Sequence, residues 1–479
     1  MTAAKSIAPN TALDSSCWKA ADLRGVYPNE VSPELFRNIG SAIGTLLEAG
    51  ARVMVAGDFR LSTPALKEAL ASGLIAAGCD VIDTGQIATP IAYFAATAHQ
   101  PDALLIVTAS HNPPEHNGLK LLLDGRPPTP DQLSYIRKLS LNGVLRSGNG
   151  SLTSIDPLAE YERFIARRWQ HLDPTVLPQL VLDAGNGVWS ESAPRVFSAL
   201  NFRVQRISCV IDGSFPDRPS DCSRPANLVR LREQVAAQPN SLGIAWDGDG
   251  DRVAIVDETG QAVSSDQLSM LLTRELLAAN RSDEAESRQV VVDIKLSSAV
   301  QQEILHLGGV PLLERTGHAF MRTRMLATDA LLGLDACGHF FFAELQGADD
   351  GLFAALFVLQ LIQRAQLPLS ELIKSLPTIY STPELRIPLH LLSFKQAEEL
   401  LLAAFPDASI DRLDGVRISL LEGTILLRRS GTESVLSLRI EGNTQSEFET
   451  LVAHCINLFP PAQTCIQSQL QEHIAPVDI

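Results

Sequence analysis

The sequence predicts an α/β protein: three tandem α/β domains with mixed, largely parallel sheets, then a C-terminal α+β domain, around one central cleft. Three observations predict it. The 479 residues suggest three or four domains on length alone. Short β-rich apolar runs alternate with amphipathic helical stretches three times over, the pattern of parallel strands crossed by helices. After Ser381-Thr-Pro-Glu384 the alternation stops and strands surround two helices instead.

The first unit, residues 1–156, runs from Arg52–Ala56 through a helix opening at Thr63-Pro64 to Val81–Asp83. A second helix after Thr89-Pro90 leads to Ala103–Val107. The second unit, 157–261, starts at Leu180–Asp183, passes a helix near Ser192–Leu200 and reaches a strand at Phe202–Val204. A helix near Asn227–Ala237 then leads to Leu242–Trp246. The third, 262–376, runs from Val290–Ile294 through a helix near Ser297–Leu307 to Pro311–Leu313, and later enters a long helix near Gly351–Ala365. The last, 377–479, has strands at Glu384–Leu389, Gly415–Leu421, Gly423–Arg429 and Val435–Ile440, with helices near Ser393–Ala404 and Gln445–Leu458. Its length of about a hundred residues is ordinary for a domain. Each α/β unit ends a strand in a loop of unusual composition: Thr108–Pro113, Asp247–Arg252 and Asp335–His339. Ligands of open α/β sheets sit at the carboxyl ends of strands, so three such loops can face a single cleft.

Asp247-Gly248-Asp249-Gly250-Asp251-Arg252 is the most informative of them. Three carboxylates at alternate positions can converge on one hard divalent cation through oxygen ligands. The two glycines let the backbone fold tightly around it. Arg252 adds a planar cationic fork suited to phosphate. An EF-hand is excluded, because Arg252 occupies the sixth loop position where glycine is required, and the flanks read as strands.

Composition is that of an ordinary soluble globular chain, 45% hydrophobic and 20% charged. A net charge of -16 with no Lys/Arg-rich run argues against nucleic-acid binding. An anionic substrate must then be caught by local cations. Seven scattered cysteines without a CxxC pair fit reduced thiols. The opening Met1-Thr-Ala-Ala-Lys5-Ser lacks a signal-peptide core, and the most apolar stretch, Leu352–Leu359, is too short to span a bilayer. A cytoplasmic location with no membrane partner is the expectation.

Thr108-Ala-Ser110-His111-Asn112-Pro113 follows a strand. Ser110 can be a helix cap or a nucleophile. His111 can serve it as a base, although adjacent side chains in a turn often diverge. No GxSxG elbow and no Walker A sequence occur, and Gly185-Asn-Gly187 lacks the third glycine of a dinucleotide fingerprint.

Taken together, Ser110, Asn117-Gly118-Leu-Lys120, the 247–252 loop and Arg428-Arg-Ser430-Gly431-Thr432-Glu433 resemble the α-D-phosphohexomutase superfamily, in the same four-domain order. Asp22-Leu-Arg24-Gly25, Gly57-Asp-Phe-Arg60-Leu-Ser62, Asp183–Gly187, Lys295 and Arg315-Thr-Gly317-His318 also match. Asp212–Pro216 and Ser381–Glu384 look closest to the bacterial phosphomannomutase/phosphoglucomutase branch.

The resemblance implies an enzyme that moves a phosphoryl group between the 1- and 6-positions of a hexose phosphate. Ser110 would be carried as phosphoserine, with one Mg2+ bridging it to Asp247, Asp249 and Asp251. A hexose 1,6-bisphosphate would be intermediate and activator. Lys120 would act as general acid/base, with Arg24 and Arg252 giving electrostatic help and His111 nearby. Lys295, His318, Asp335, Cys337 and His339 would contact the sugar. Arg428, Ser430, Gly431 and Thr432 would hold the phosphate not being transferred, and a monomer or weak dimer is implied.

One segment departs from the pattern. The superfamily's third loop reads Gly-Glu-x-Ser-Gly-His, and its Glu and Ser hold sugar hydroxyls; here the aligned segment is Leu334-Asp335-Ala336-Cys337-Gly338-His339. Aspartate is one methylene shorter and a thiol is a weaker hydrogen-bonding group. A second register through Glu344 exists, but Phe341-Phe342 downstream favours the first. Altered sugar selectivity or a slower rate follows. The alternatives are a phosphoglucosamine mutase, or a sugar-phosphate-binding protein with impaired turnover.

Overall fold

The computed structural model describes residues 17–279, 288–430 and 434–474. Four sheets follow one another along the chain. The first has six strands in the order Leu23–Val26, His116–Leu123, Ala103–Val107, Arg52–Gly57, Asp80–Gln86, Leu152–Ser154. Pairing is parallel from Ala103–Val107 outward to Leu152–Ser154, and antiparallel at the other edge. Ala103–Val107 is buried along its whole length, as expected of a strand covered on both faces. The flanking helices Thr63–Ala76 and Thr89–His99 each carry proline in the first turn, where the missing N–H has no intrahelical partner to lose.

The second sheet orders Val253–Val256, Ser241–Trp246, Gln179–Asp183 and Val204–Ile207. The 247–252 loop is the hairpin turn between its first two strands. The third sheet orders Val310–Glu314, Gln289–Asp293, Leu332–Leu334, Phe340–Phe342 and Ala348–Asp349, with the 335–339 loop between two antiparallel strands. The fourth has six strands and is antiparallel, centred on Val435–Gly442 and Gly423–Arg429, with helices Phe394–Ala404 and Gln445–Leu458 packed on it.

The structure shifts two predicted elements. The strand expected at Phe202–Val204 starts at Val204 and runs to Ile207, because Phe202 is buried edge-on against Phe197 at the end of the preceding helix. The helix expected at Asn227–Ala237 divides into a 3-10 turn, Pro225–Leu228, and a helix, Val229–Ala236. Among the described residues no helix is long and apolar enough to cross a membrane.

One apolar core runs through the first three sheets, joining Met54 and Ile106 to Leu182, Phe197 and Trp246, and on to Val292, Phe342 and Phe353. The fourth domain has a core of its own, including Leu385, Ile418, Leu427, Leu438 and Cys455. Polar contacts join it to the third: Arg439 with Asp266, and Glu441 with Ser297 and Ser298 at the start of helix Ser298–His306. The carboxyl-end loops of all three α/β sheets converge between these bodies.

Candidate active site

Ser110 stands just past the strand Ala103–Val107 with a φ of 51°, a left-handed conformation that costs a non-glycine residue energy. Its surroundings fix it there. Thr108 Oγ1 accepts the Ser110 N–H at 2.9 Å, and Arg60 donates to the carbonyls of Ser110, Asn112, Pro113 and His116 at 2.6–3.0 Å. Arg60 is fully buried and is itself held by Asp58 at 3.1 Å. It is the scaffold of the serine loop, a role its motif alone did not disclose.

Ser110 Oγ donates to Asp247 Oδ2 at 2.7 Å, across the boundary between the first and second sheets. That approach requires Gly248: a Cβ there would stand 2.7 Å from the Ser110 carbonyl oxygen. Asp247, Asp249 and Asp251 are all buried, and their carboxylate oxygens lie within 4.8 Å of one another. Asp249 Oδ1 has no hydrogen-bond partner, and Asp251 Oδ1 meets only His339 Nε2, at 3.3 Å. Burial, with repulsion from Asp251 and Asp249, pushes the Asp247 carboxyl up to about 8. Crowded, buried, partly orphaned carboxylate oxygens are a donor set that suits a hard divalent cation, so the residues present fit one.

Lys120, in the strand His116–Leu123, places Nζ 2.8 Å from Asp249 Oδ2 and also bonds Asp251 Oδ2. Burial disfavours its charge, but the two carboxylates outweigh burial and hold its pKa well above the lysine range. His111 Nδ1 lies 3.4 Å from Ser110 Oγ, so the adjacent side chains do meet. Burial, with Arg252 and Arg24 nearby, depresses its pKa and leaves the ring neutral. Arg24 reaches the same loop through Asn112 Oδ1 at 3.1 Å.

The third-sheet loop closes the site from the opposite wall. Arg252 and His339 form a backbone bridge. His339 stands between Asp251 Oδ1 at 3.3 Å and Asp335 Oδ1 at 3.4 Å. Burial and Arg252 lower its pKa, yet the two carboxylates prevail and raise it to about 10. Arg252 Nε points its N–H at His339 Nε2 from 3.2 Å. Asp335 is turned inward: its Oδ1 also accepts the Cys337 N–H. Cys337 Sγ lies 3.4 Å from Lys295 Nζ, which also meets Glu384 Oε2 at 3.5 Å. His318 Nε2 lies 3.2 Å from Tyr93 Oη and 3.1 Å from Asp349 Oδ1. Glu344 is elsewhere, paired with Arg168.

A cleft of about 1190 Å3 connects these groups. Arg24, His111, Lys120, Arg252, Lys295, His318, Asp335, Cys337 and His339 line it, and Arg428 and Ser430 line it from the fourth domain. Ser110 and the three aspartates lie beneath its floor. Gly431 and Thr432 fall outside the described residues. Tyr93 and Thr89 (which donates to Asp249 Oδ2 at 2.8 Å) belong to the site without having been singled out, since neither sits in a segment of unusual composition, and Glu384, the last residue of the Ser381–Glu384 match, joins them.

Comparison with known proteins agrees with this fold over most of the chain. Residues 16–143, 162–260 and 264–380 match "Phosphoglucomutase/phosphomannomutase, alpha/beta/alpha" domains I, II and III. Residues 391–458 match the C-terminal domain of the same family. A phosphomannomutase/phosphoglucomutase of Pseudomonas aeruginosa is 34% identical over 444 residues, 92% of this chain and 94% of the relative. A phosphoglucomutase of Neisseria gonorrhoeae is 34% identical over 443 residues, 91% and 94% of the two chains. The crystal structure of a phosphoglucomutase/phosphomannomutase family protein from Burkholderia thailandensis superposes with a TM-score of 0.83 at 33% identity, covering 94% of this chain and 97% of its own. The chain belongs to the phosphoglucomutase/phosphomannomutase family of the α-D-phosphohexomutase superfamily.

Proposed function

We propose that this enzyme reversibly moves a phosphoryl group between the 1- and 6-positions of a hexose phosphate, mannose and/or glucose, through phosphorylated Ser110. The observation that carries the reading is the 2.7 Å contact of Ser110 Oγ with Asp247 at the edge of a buried carboxylate triad. Asp247, Asp249 and Asp251, with Ser110, would hold one Mg2+. When bound, the cation neutralises charge developing on the transferring phosphoryl oxygens.

The remaining chemistry belongs to the chain. Ser110 Oγ carries the phosphoryl group, gives it to the free sugar hydroxyl and takes back the other phosphate of the resulting 1,6-bisphosphate. Lys120, charged and buried, hands a proton to the leaving oxygen and removes one from the attacking hydroxyl. Arg252 and Arg24 stabilise the charge, and neutral His111 stays within reach of Ser110 Oγ. Lys295, His318, Asp335, Cys337 and His339 contact the sugar. Arg428 and Ser430, with Gly431 and Thr432, hold the idle phosphate. The same reading takes hexose 1,6-bisphosphate as activator, sets domain limits at 1–156, 157–261, 262–376 and 377–479, and has the protein act in the cytoplasm as a monomer or weak dimer.

The test is a mutase assay on mannose 1-phosphate, glucose 1-phosphate and glucosamine 1-phosphate, with Mg2+ and a trace of hexose 1,6-bisphosphate, and Ser110→Ala as the blank. Ser110-dependent turnover of either of the first two is the expected result. Turnover of glucosamine 1-phosphate alone would replace the substrate assignment. No turnover with Ser110 phosphorylated would overturn the catalytic reading.

A further inference from the structure

A single carboxylate oxygen joins the phosphate arginine of the fourth domain to the wall of the third. Asp414 lies in the turn between the strands Ser409–Asp411 and Val416–Ser419. Its Oδ2 accepts from Arg428 Nε at 2.9 Å and from the backbone N–H of Thr316 at 3.2 Å. Thr316 belongs to the third domain, between the strand Val310–Glu314 and the helix His318–Thr328, and it lines the cleft. Its hydroxyl donates to Asp293 Oδ1 at 2.7 Å, which also accepts the Lys295 N–H at 2.9 Å. Among the described residues, further polar links between these domains run through Arg439, Glu441 and Glu384.

The geometry is that of an aimed fork. A guanidinium held at Nε turns its opposite, two-nitrogen edge in a fixed direction, and that edge is the one that grips phosphate bidentately. Arg428 lines the cleft while only 10% of its side chain is exposed, and 19% of Asp414. The pair is therefore partly withdrawn from water, where a charge-assisted bond counts for more than on an open surface.

We propose that Asp414 is a positioning residue that couples capture of the idle phosphate to docking of the fourth domain on the third. It rests on the mutase reading. With Arg428 gripping one phosphate of the bisphosphate, the same oxygen anchors the domain at Thr316, so the intermediate stays enclosed while its other end is exchanged at Ser110. Without that oxygen, Arg428 loses its aim and the domain loses its anchor at Thr316 together.

The experiment compares full-length wild type, Asp414→Ala and Asp414→Asn with Mg2+ and saturating hexose 1,6-bisphosphate, and follows bisphosphate released from labelled hexose 1-phosphate. Asp414→Ala is expected to raise KM about tenfold or more, the scale of a lost charge-assisted bond, with kcat changing less than about threefold. Released bisphosphate per turnover rises with it. Asp414→Asn keeps an acceptor for Thr316 and shifts both readouts less. An unchanged or lower KM without extra release overturns the proposal. So does a fall in Tm and kcat at constant KM, the mark of a merely structural residue. An inactive wild type would sink the mutase reading and this proposal with it; an active wild type beside an indifferent Asp414→Ala sinks only the latter.

Discussion

Lys120 is charged because two aspartates hold its ammonium inside the protein, and this decides what it can do. A buried lysine without partners would lose its proton readily; this one is pinned by Asp249 and Asp251 and keeps it. On the proposed mechanism it would thus be an acid first, and a base only after giving its proton to the leaving oxygen. Lys120→Met should lower kcat by about 10²–10⁴, the usual share of a general acid/base, with a much smaller change in KM, read in the mutase assay. Chelation of divalent cations should abolish turnover reversibly, since the triad's charge is then unbalanced. At this scale the sequence was legible where spacing carries the chemistry, as in the alternating aspartates. It was silent where a rotamer does. Nothing in Leu334–His339 reveals that Asp335 bends back to the Cys337 N–H and His339. That inward turn commits Oδ1 to the loop itself and leaves only Oδ2 for the cleft. Asp335→Glu with Cys337→Ser should therefore shift the kcat/KM ratio between mannose and glucose 1-phosphates by about ten- to a hundredfold, one or two hydrogen bonds' worth. An unchanged ratio would dissociate the loop from selectivity.

Elements were predicted well where burial agreed with pattern, and missed where tertiary pairing overrode a local signal. The helix Gly351–Ala365 is apolar through most of its length and is buried accordingly. Asn117-Gly118, by contrast, carries a turn signature, yet both residues lie within the strand His116–Leu123. The glycine is there because a Cβ would stand 2.0 Å from the Leu23 carbonyl of the neighbouring strand. The start of helix Gly351–Ala365 makes a prediction of its own. Asp350 caps it, accepting from Leu352 N and Phe353 N at 2.9 Å, and receives the Tyr161 hydroxyl at 2.6 Å from the helix Leu158–Arg168. Burial raises its carboxyl to about 7 despite those bonds. The folded protein thus holds a proton there that the unfolded chain releases above the ordinary carboxylate range. Its stabilising contribution is complete below about pH 4 and is lost as pH rises toward 7, at up to roughly 1.4 kcal/mol per pH unit. Asp350→Asn, which cannot titrate, should show a smaller drop in Tm between pH 5 and pH 7 than the wild type. Equal drops would place the charge elsewhere.

At the scale of the molecule, the order of four domains was written in the sequence, but their grouping was not. Periodicity tells which face of an element is apolar; it does not tell which domain's apolar face meets it. The structure shows three sheets sharing one core and a fourth domain with a separate one, joined to the rest through polar contacts such as Arg439–Asp266 and Glu441–Ser297. The seam's ion pair and hydrogen bonds are largely buried, where the cost of desolvation offsets most of their attraction, so the fourth domain should melt on its own while the other three melt together. Leu438 sits at the centre of that separate core, in the strand Val435–Gly442. Leu438→Ala should cost the fourth domain roughly 2–5 kcal/mol. For a domain of this size that lowers its transition by about 8 °C or more in calorimetry, leaving the main transition in place. Turnover should fall at the temperature of the smaller transition, because the clamp on the idle phosphate is lost while Ser110 and the triad remain folded. A single transition shifted as a whole would mean that the polar seam binds the fourth domain as firmly as a core, and the cleft would then have to open by some movement other than that domain's.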